Sequence, residues 1–593
     1  MSTTVTGIDD AAIALSSGYG TETALATLVS GMLTTRMILL RTLVAEATAR
    51  PEVSDGAGLH AAYQALAELQ RTHPAETADL LAYPHLGPWL AHVLGRIYAD
   101  DDSSTPLWAD CGYLGWLAAA GGIACLPDGS MRVVVRNGIV MLPGIGMARL
   151  GPADFCGHCE LSWTSDGSIG FTQSGTSVLV PSQDYEADPD WLPLRKVRGE
   201  AGERTTFLDD LDPFRDLAKD QPVPPRLTAG QVELWQRDFA DAWALLRRDF
   251  ERYLIPMRSC LRIVAPLTAR PRAASTSHTS FNGVGCVYTT APADSCQLAL
   301  TMIHEIQHTK FNLLIDQILL FDQDPSCRFY APWRDDPRPI MGLAHGIYAF
   351  FGVTDFWRVH RSAECHGSMQ SHVEFALWRV QVAGAIEQAM GSGLLTATGE
   401  HLMRTLRDGI ADWAVEELPD AAGLAASEIS VAHHTFWQVR NLLPAAADIA
   451  ELAARWRARA ARPEALAPSS PVDQDSIPDS HRRLHLSVQL KEIDSVAAAA
   501  LSIEDQPVGD KAYLAQDFPL AAALYLEQLR SDPLRPQLWA GLALTLPKLN
   551  PDIDFRILSV RAEVVARLYQ ALRSESDAVE VVELIDWLSG ING

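Results

Sequence analysis

At 593 residues the chain is too long for one hydrophobic core and implies several domains. Its 48 Lys and Arg against 73 Asp and Glu leave a net charge of −25, which argues against nucleic acid and membranes as partners and leaves small molecules, peptides or other proteins. Nine scattered cysteines, an odd number, suit a reducing cytoplasm better than a disulfide framework. The N-terminal MSTTVTGIDDAAIALSSGYG does not read as a secretory signal, and the most apolar stretch, residues 112–126, is too short and glycine-rich to span a bilayer.

Residues 1–125 read as a helical region, with apolar positions three and four apart through 58–98. A β-rich subdomain is expected over 126–190. There MRVVVRNGIVML predicts a hairpin around Asn137-Gly138, and LSWTSDGSIGFTQSGTSVLVP another around Asp166-Gly167. Residues 182–225 are polar and proline-punctuated and read as a connector. From Thr228 helical patterns dominate to about 460, so 226–460 is taken as the metal-binding catalytic domain. A linker rich in Pro, Ser and Asp follows at 461–483. Residues 484–593 resemble tetratricopeptide-like helical hairpins, with Tyr513, Ala522, Tyr525 and Pro533 at packing positions. The expected fold class is therefore mainly α and multi-domain: a helical metal-binding core, a small β-rich subdomain and a tetratricopeptide-like C-terminal region.

The chemistry concentrates in LALTMIHEIQHTKFNLL, residues 298–314. His304 and His308, four apart on a helix, project from one face and can grip one cation, while Glu305 can reach a metal-bound water. Pro292, Asp294 and Gln297 announce the helix start, with Asp294 and Gln297 at capping-box spacing. Leu300, Ile303, Ile306 and Leu314 form an apolar backing. The glycine and third histidine of a metzincin are missing after His308. Glu364 or Glu374 would supply the third ligand of a gluzincin, and His345, in an apolar setting, is the leading alternative ahead of His360, His366 and His372. Between them lies YAPWRDDPRP, where Arg334 and Arg338 flank two aspartates. A guanidinium fork matches a carboxylate, so a dicarboxylate beside the metal would find a partner there, Arg338 foremost; internal Arg–Asp pairing is the competing reading.

HEIQHTKFNLLID, YAPWRDDPRP and GLAHGIYAFFGVTDFW, in this order and spacing, resemble the HExxH-motif peptide-modification family, clearly from Ser277 to Trp357 and more loosely through LLAYPHLGPWL upstream and the helical tail downstream. That resemblance implies an Fe(II)- and α-ketoglutarate-dependent dioxygenase that uses O2 to hydroxylate a side-chain Cβ of a ribosomally synthesised precursor peptide, beside a radical SAM maturase. It further implies iron ligands at His304, His308 and a third residue, carried over as His345, and a carboxylate-binding arginine, carried over as Arg338 with Arg334 beside it. Most α-ketoglutarate oxygenases use two histidines and one carboxylate, so a three-histidine set departs from the common pattern. In this reading Glu305 orients a ligand or an iron-bound water. Trp333, Ser280 and Tyr348 are the substrate-pocket candidates, with Ser277 as another polar contact.

Two other readings stand beside this one: a zinc metallopeptidase with Glu305 as base, and a non-catalytic scaffold that recruits a precursor through the tail. The CGHC run, Cys156 to Cys159, lacks a second zinc-ligand pair and reads as ordinary thiols. SFNGVGCVY has no phosphate-loop lysine, so it is expected to edge the pocket rather than bind a nucleotide.

Overall fold

The computed structural model describes all residues except 1, 100–102, 174–175, 182–188, 200–204, 216–224, 269–275, 323, 325, 364–367, 473–507, 575–578 and 590–593. The chain is mainly helical with several small sheets, and it divides into two compact units, Met1–Ile318 and Leu319–Gly593. The division falls inside the 226–460 span, so the HExxH helix and the arginine loop lie in different units.

In the first unit, residues 58–98 form three helices, Leu59–Thr72, Pro74–Leu81 and Leu86–Tyr98. Pro74 opens the second of them, where its missing N–H costs nothing. Leu86, Trp89, Leu90, Tyr113 and Trp116 pack with Val133, Val135, Phe171 and Trp191 into one core of helix against sheet. Among the described residues one helix, Glu22–Thr48, is long and apolar enough to cross a membrane, with mean hydropathy 1.5. Its buried stripe of Leu25, Leu28, Met32, Leu40 and Leu43 includes Arg36. The Arg36 guanidinium donates to the carbonyls of Leu81 (2.7 Å) and Tyr83 (3.1 Å), so this stripe is tied to the protein's own backbone.

The β-rich region departs from the expected hairpins in one place. Asn137 and Gly138 both take positive φ, 50° and 78°, as a tight turn requires. Yet the flanking strands separate after the single Arg136–Ile139 bridge: Gly129–Val135 pairs with Gly157–Trp163, and Ile139–Leu142 with Gly146–Arg149. Seven paired positions with Gly157–Trp163 outweigh what a two-residue turn can hold. Around Asp166-Gly167 the hairpin forms as expected, with Trp163 opposite Ile169. The expected connector is not structureless either. Trp191–Pro193, Arg195–Val197 and Thr206–Leu208 are short strands within it, anchored by buried Trp191, Val197 and Leu208.

The last two of those strands enter a five-stranded sheet whose order is Ser277–His278, Cys286–Thr289, Ile263–Pro266, Thr206–Leu208, Arg195–Val197. Its parallel centre, Ile263–Pro266 between Cys286–Thr289 and Thr206–Leu208, is fully buried and apolar. This sheet places Ser277–His278 at its edge beside the HExxH helix.

In the second unit the helix Asp420–Asn441 packs against Ser368–Gly391, Pro536–Leu549 and Ala562–Ser574. The expected 461–483 linker is described as far as residue 472, and within it Ser470–Pro471 pairs with Leu442–Leu443. The expected tail hairpin appears as three helices, Val508–Leu514, Phe518–Leu529 and Pro536–Leu549, with Tyr513, Ala522 and Tyr525 buried. The Tyr525 ring lies against Gly509 and Gly541, where an added Cβ would come within 2.6 and 2.4 Å of it.

Tyr525 donates its hydroxyl to the buried Asp510 at 2.6 Å. Burial pushes the Asp510 carboxyl up to about 6, against the opposing pull of Tyr525 and Arg535. An acid whose folded pKa lies above its unfolded one stabilises fully below the unfolded value and loses that contribution as pH rises through the folded value. From about pH 4 to about pH 6 this group therefore withdraws up to about 3 kcal/mol of stability. Asp510→Asn is expected to raise stability by about 1–2 kcal/mol near neutral pH and to flatten the pH dependence, as read by denaturant unfolding at about pH 5 and about pH 7.5.

Candidate metal centre

The HExxH helix spans Ser295–Ile315. Asp294 caps it, accepting from Gln297 N at 2.8 Å; the Gln297 amide oxygen, however, accepts from Ala293 N rather than Asp294 N, so the expected box closes one residue early. Ile303, Ile306 and Leu314 are buried as expected, and Leu300 is half-buried. On the same helix the buried Lys310 donates to the carbonyls of Gly18 (2.7 Å) and Tyr19 (3.1 Å), tying the bend after the helix Ser2–Ser16 to the site helix.

His304 and His308 present their Nε2 atoms 3.0 Å apart, with the rings edge to face. Two nitrogens each about 2.1 Å from one cation and at right angles to it are about 3.0 Å apart, so the pair fits two cis positions on a metal. The His304 side chain keeps 23% of its surface exposed, and the surrounding protein still pushes its imidazole down to about 4, toward the neutral form that ligation needs. Within the first unit no third His, Cys, Asp or Glu among the described residues joins the pair.

Glu305, between the two histidines in sequence, is a buried carboxylate beside the clamp. It is fully enclosed, and its Oε2 accepts from Thr279 Oγ1 at 2.5 Å. Oε1 accepts no hydrogen bond among the described residues and lies 3.9 Å from His304 Nε2. Burial raises the carboxyl above its ordinary range, against the hydroxyls of Ser277 and Thr279 and the charge of His278. Ser280, a predicted pocket residue, is buried in the next turn, where its carbonyl accepts from Gly283 N.

Behind this segment stands a polar chain that sequence reading missed. The His278 ring stacks flat on Tyr288 at 4.7 Å, and the Tyr288 hydroxyl lies 3.4 Å from His85 Nδ1. His85 Nε2 faces Asp209 at 3.2 Å, and Tyr83 donates to the same carboxylate at 2.7 Å. Burial alone would raise Asp209, but His85, the backbone N–H of Asp212 and Arg215 hold it well below the usual range. Gly87 is required here, because a Cβ would come within 1.9 Å of the Asn282 carbonyl. The turn after Thr279 is thus braced from behind.

In the second unit, residues 329–338 form a closed ring: Phe329 N donates to Arg338 O (2.8 Å) and Arg338 N to Phe329 O (3.0 Å). Arg334 Nε and Arg338 Nη1 both donate to Asp336, at 2.8 and 3.0 Å. Burial would raise Asp336, but the two guanidiniums hold it below its ordinary range. Internal pairing therefore holds for both arginines, and each engages Asp336 through one nitrogen while keeping about a third or more of its side chain exposed. Trp333 stacks on Phe350 at 4.9 Å and lies flush on Gly346, where a Cβ would come within 2.1 Å of the indole.

His345 is half-buried on the helix Ile340–His360, one residue before Gly346, and Tyr348 on the same helix is fully buried, which pushes its phenol upward. Glu374 accepts from Trp378 Nε1 at 2.7 Å, and His360 stacks on Phe356, so both have local structural partners. His372 is half-buried; Glu364 and His366 lie outside the described residues. Cys156 and Cys159 are free thiols, and burial pushes Cys159 up to about 12.

The structure thus brings together His304, Glu305 and His308 with Thr279 and Ser280 in one unit, and Trp333, Arg334 and Arg338 with Asp336 in the other. Asp336 could be suspected from its position between the arginines. Thr279 had only the polar run SHTS as a signal. A scan against protein-family models matches no family, and a search of curated proteins finds no similar sequence.

Proposed function

We propose that this chain is an Fe(II)- and α-ketoglutarate-dependent dioxygenase that hydroxylates a side-chain Cβ in a ribosomally synthesised precursor peptide. The observation that carries the choice over a zinc peptidase is the enclosure of Glu305. A peptidase base must exchange protons freely with a metal-bound water, whereas this carboxylate is fully buried, its Oε2 is held by Thr279, and only Oε1 is left toward the clamp, 3.9 Å from His304 Nε2. It is suited to orienting its neighbours rather than to shuttling protons with solvent.

His304 and His308 would hold the metal through nitrogens at chelating separation, and His345 is the third ligand that the family resemblance implies. Arg338, with Arg334, would pair with the distal carboxylate of α-ketoglutarate; each guanidinium commits one nitrogen to Asp336 and offers others to a second anion. Bound iron with α-ketoglutarate and O2 supplies oxidative decarboxylation to succinate and carbon dioxide and the insertion of one oxygen atom into a substrate C–H bond. Trp333 and Ser280 would edge the peptide site, and Tyr348 would support its wall. The C-terminal helices, read as tetratricopeptide-like, would dock the precursor in a cytoplasmic setting beside a radical SAM maturase.

The test is cofactor turnover. Protein loaded anaerobically with Fe(II) and α-ketoglutarate is expected to release succinate when oxygen is admitted, and to release none with zinc in place of iron. Equal succinate with and without iron would overturn the assignment.

A further inference from the structure

The arginine ring is held in place by a residue far away in sequence. His433, on the helix Asp420–Asn441, is buried between two ring residues: its Nδ1 meets the Tyr330 hydroxyl at 2.7 Å and its Nε2 faces Asp335 Oδ1 at 3.4 Å. The same helix reaches the ring at further points, among them His434, whose imidazole lies 4.6 Å from the phenol ring of Tyr330. Asn441 Nδ2 and Arg440 Nη1 donate to the Asp335 carbonyl at 2.7 and 3.2 Å, and Trp437 meets the Tyr330 ring edge-on at 5.2 Å. Positions 433, 437, 440 and 441 share one helical face. Asp335 is thereby fixed through both its side chain and its backbone, next to Asp336, the carboxylate that aims both guanidiniums.

We infer that His433 is a positioning residue which, bridging Tyr330 and Asp335, sets the orientation of Arg334 and Arg338. Its consequence for α-ketoglutarate rests on the proposed function; its consequence for the ring does not. A rigid ring presents its guanidiniums ready-aimed, so an anion binds without the cost of ordering them. Losing the bridge leaves Asp335 buried with one contact fewer and lets the ring move.

His433→Phe keeps the ring-shaped volume and removes both polar contacts, while His433→Gln retains an amide able to make one of them. Hydrogen exchange at the amides of Phe329, Arg334 and Arg338 reads the ring without any cofactor. The expected result is exchange at least about tenfold faster at these amides in His433→Phe, partly restored in His433→Gln. In succinate release, KM for α-ketoglutarate is expected to rise about tenfold with kcat within about twofold of wild type. Should His433→Phe fail to fold, Tyr330→Phe removes one hydroxyl and is expected to shift exchange the same way by less. Unchanged exchange in the folded variants overturns the positioning role. If wild-type protein releases no succinate at all, the cosubstrate reading fails, and the exchange result alone decides the role of His433.

Discussion

His304→Ala is expected to abolish iron retention and with it all succinate release. Loss of a partner that merely hydrogen-bonds a metal ligand costs about 10–100-fold in metal affinity, so loss of a direct ligand should cost more than about 100-fold. The effect on folding should be small, because the His304 side chain is partly exposed and the helix is anchored elsewhere by Ile303, Ile306, Leu314 and the Lys310 contacts. Metal content after dialysis, with a thermal unfolding curve alongside, separates the two effects. Full iron occupancy in a folded His304→Ala protein would remove this residue from the ligand set.

Gly346→Ala should give the second large effect, and for a different reason. The new methyl would sit about 2.1 Å from the Trp333 indole, a separation no side chain tolerates. The helix Ile340–His360 is packed on most faces, so the indole must yield, breaking its stack on Phe350. Overpacking of this kind costs about 1–3 kcal/mol, and here it also pries at the ring that carries Arg334 and Arg338. We expect a lower unfolding midpoint together with weaker α-ketoglutarate binding. A Gly346→Ala protein with wild-type stability and affinity would show that Trp333 does not hold the ring against this helix.

Much of the fold could be read from local chemistry. Apolar spacing of three and four residues placed the helices through 58–98, and Thr228 and Asp294 marked real helix starts, because a capping side chain acts within three residues of itself. The Asn137-Gly138 turn was legible for the same reason, but the partner of the strand before it was not. Pairing of Gly129–Val135 with Gly157–Trp163 is decided by burial across a sheet, which no single strand announces. Strands of three residues, such as Arg195–Val197, carry too little alternation to stand out from a proline-punctuated run.

The candidate site divides along the same line. His304, Glu305 and His308 are visible because four-residue spacing is helix geometry. The arginine loop is visible because its charges are adjacent. What stabilises each is remote: Tyr330 meets His433 across 103 residues of sequence, and Tyr83 reaches Asp209 across 126. Glu305 changed most in meaning. Its motif position suggests a catalytic base, and only the enclosing segment shows a buried carboxylate with one oxygen held by Thr279.

The central claim is that the clamp serves oxygen insertion and not hydrolysis, and isotope-labelled dioxygen tests it most directly. Protein loaded with Fe(II) and α-ketoglutarate, given a precursor peptide under labelled O2, should yield peptide of unbroken length carrying one labelled oxygen atom, with a matching amount of succinate. Peptide cleaved in the presence of zinc, with cleavage lost in Glu305→Gln, would contradict the account.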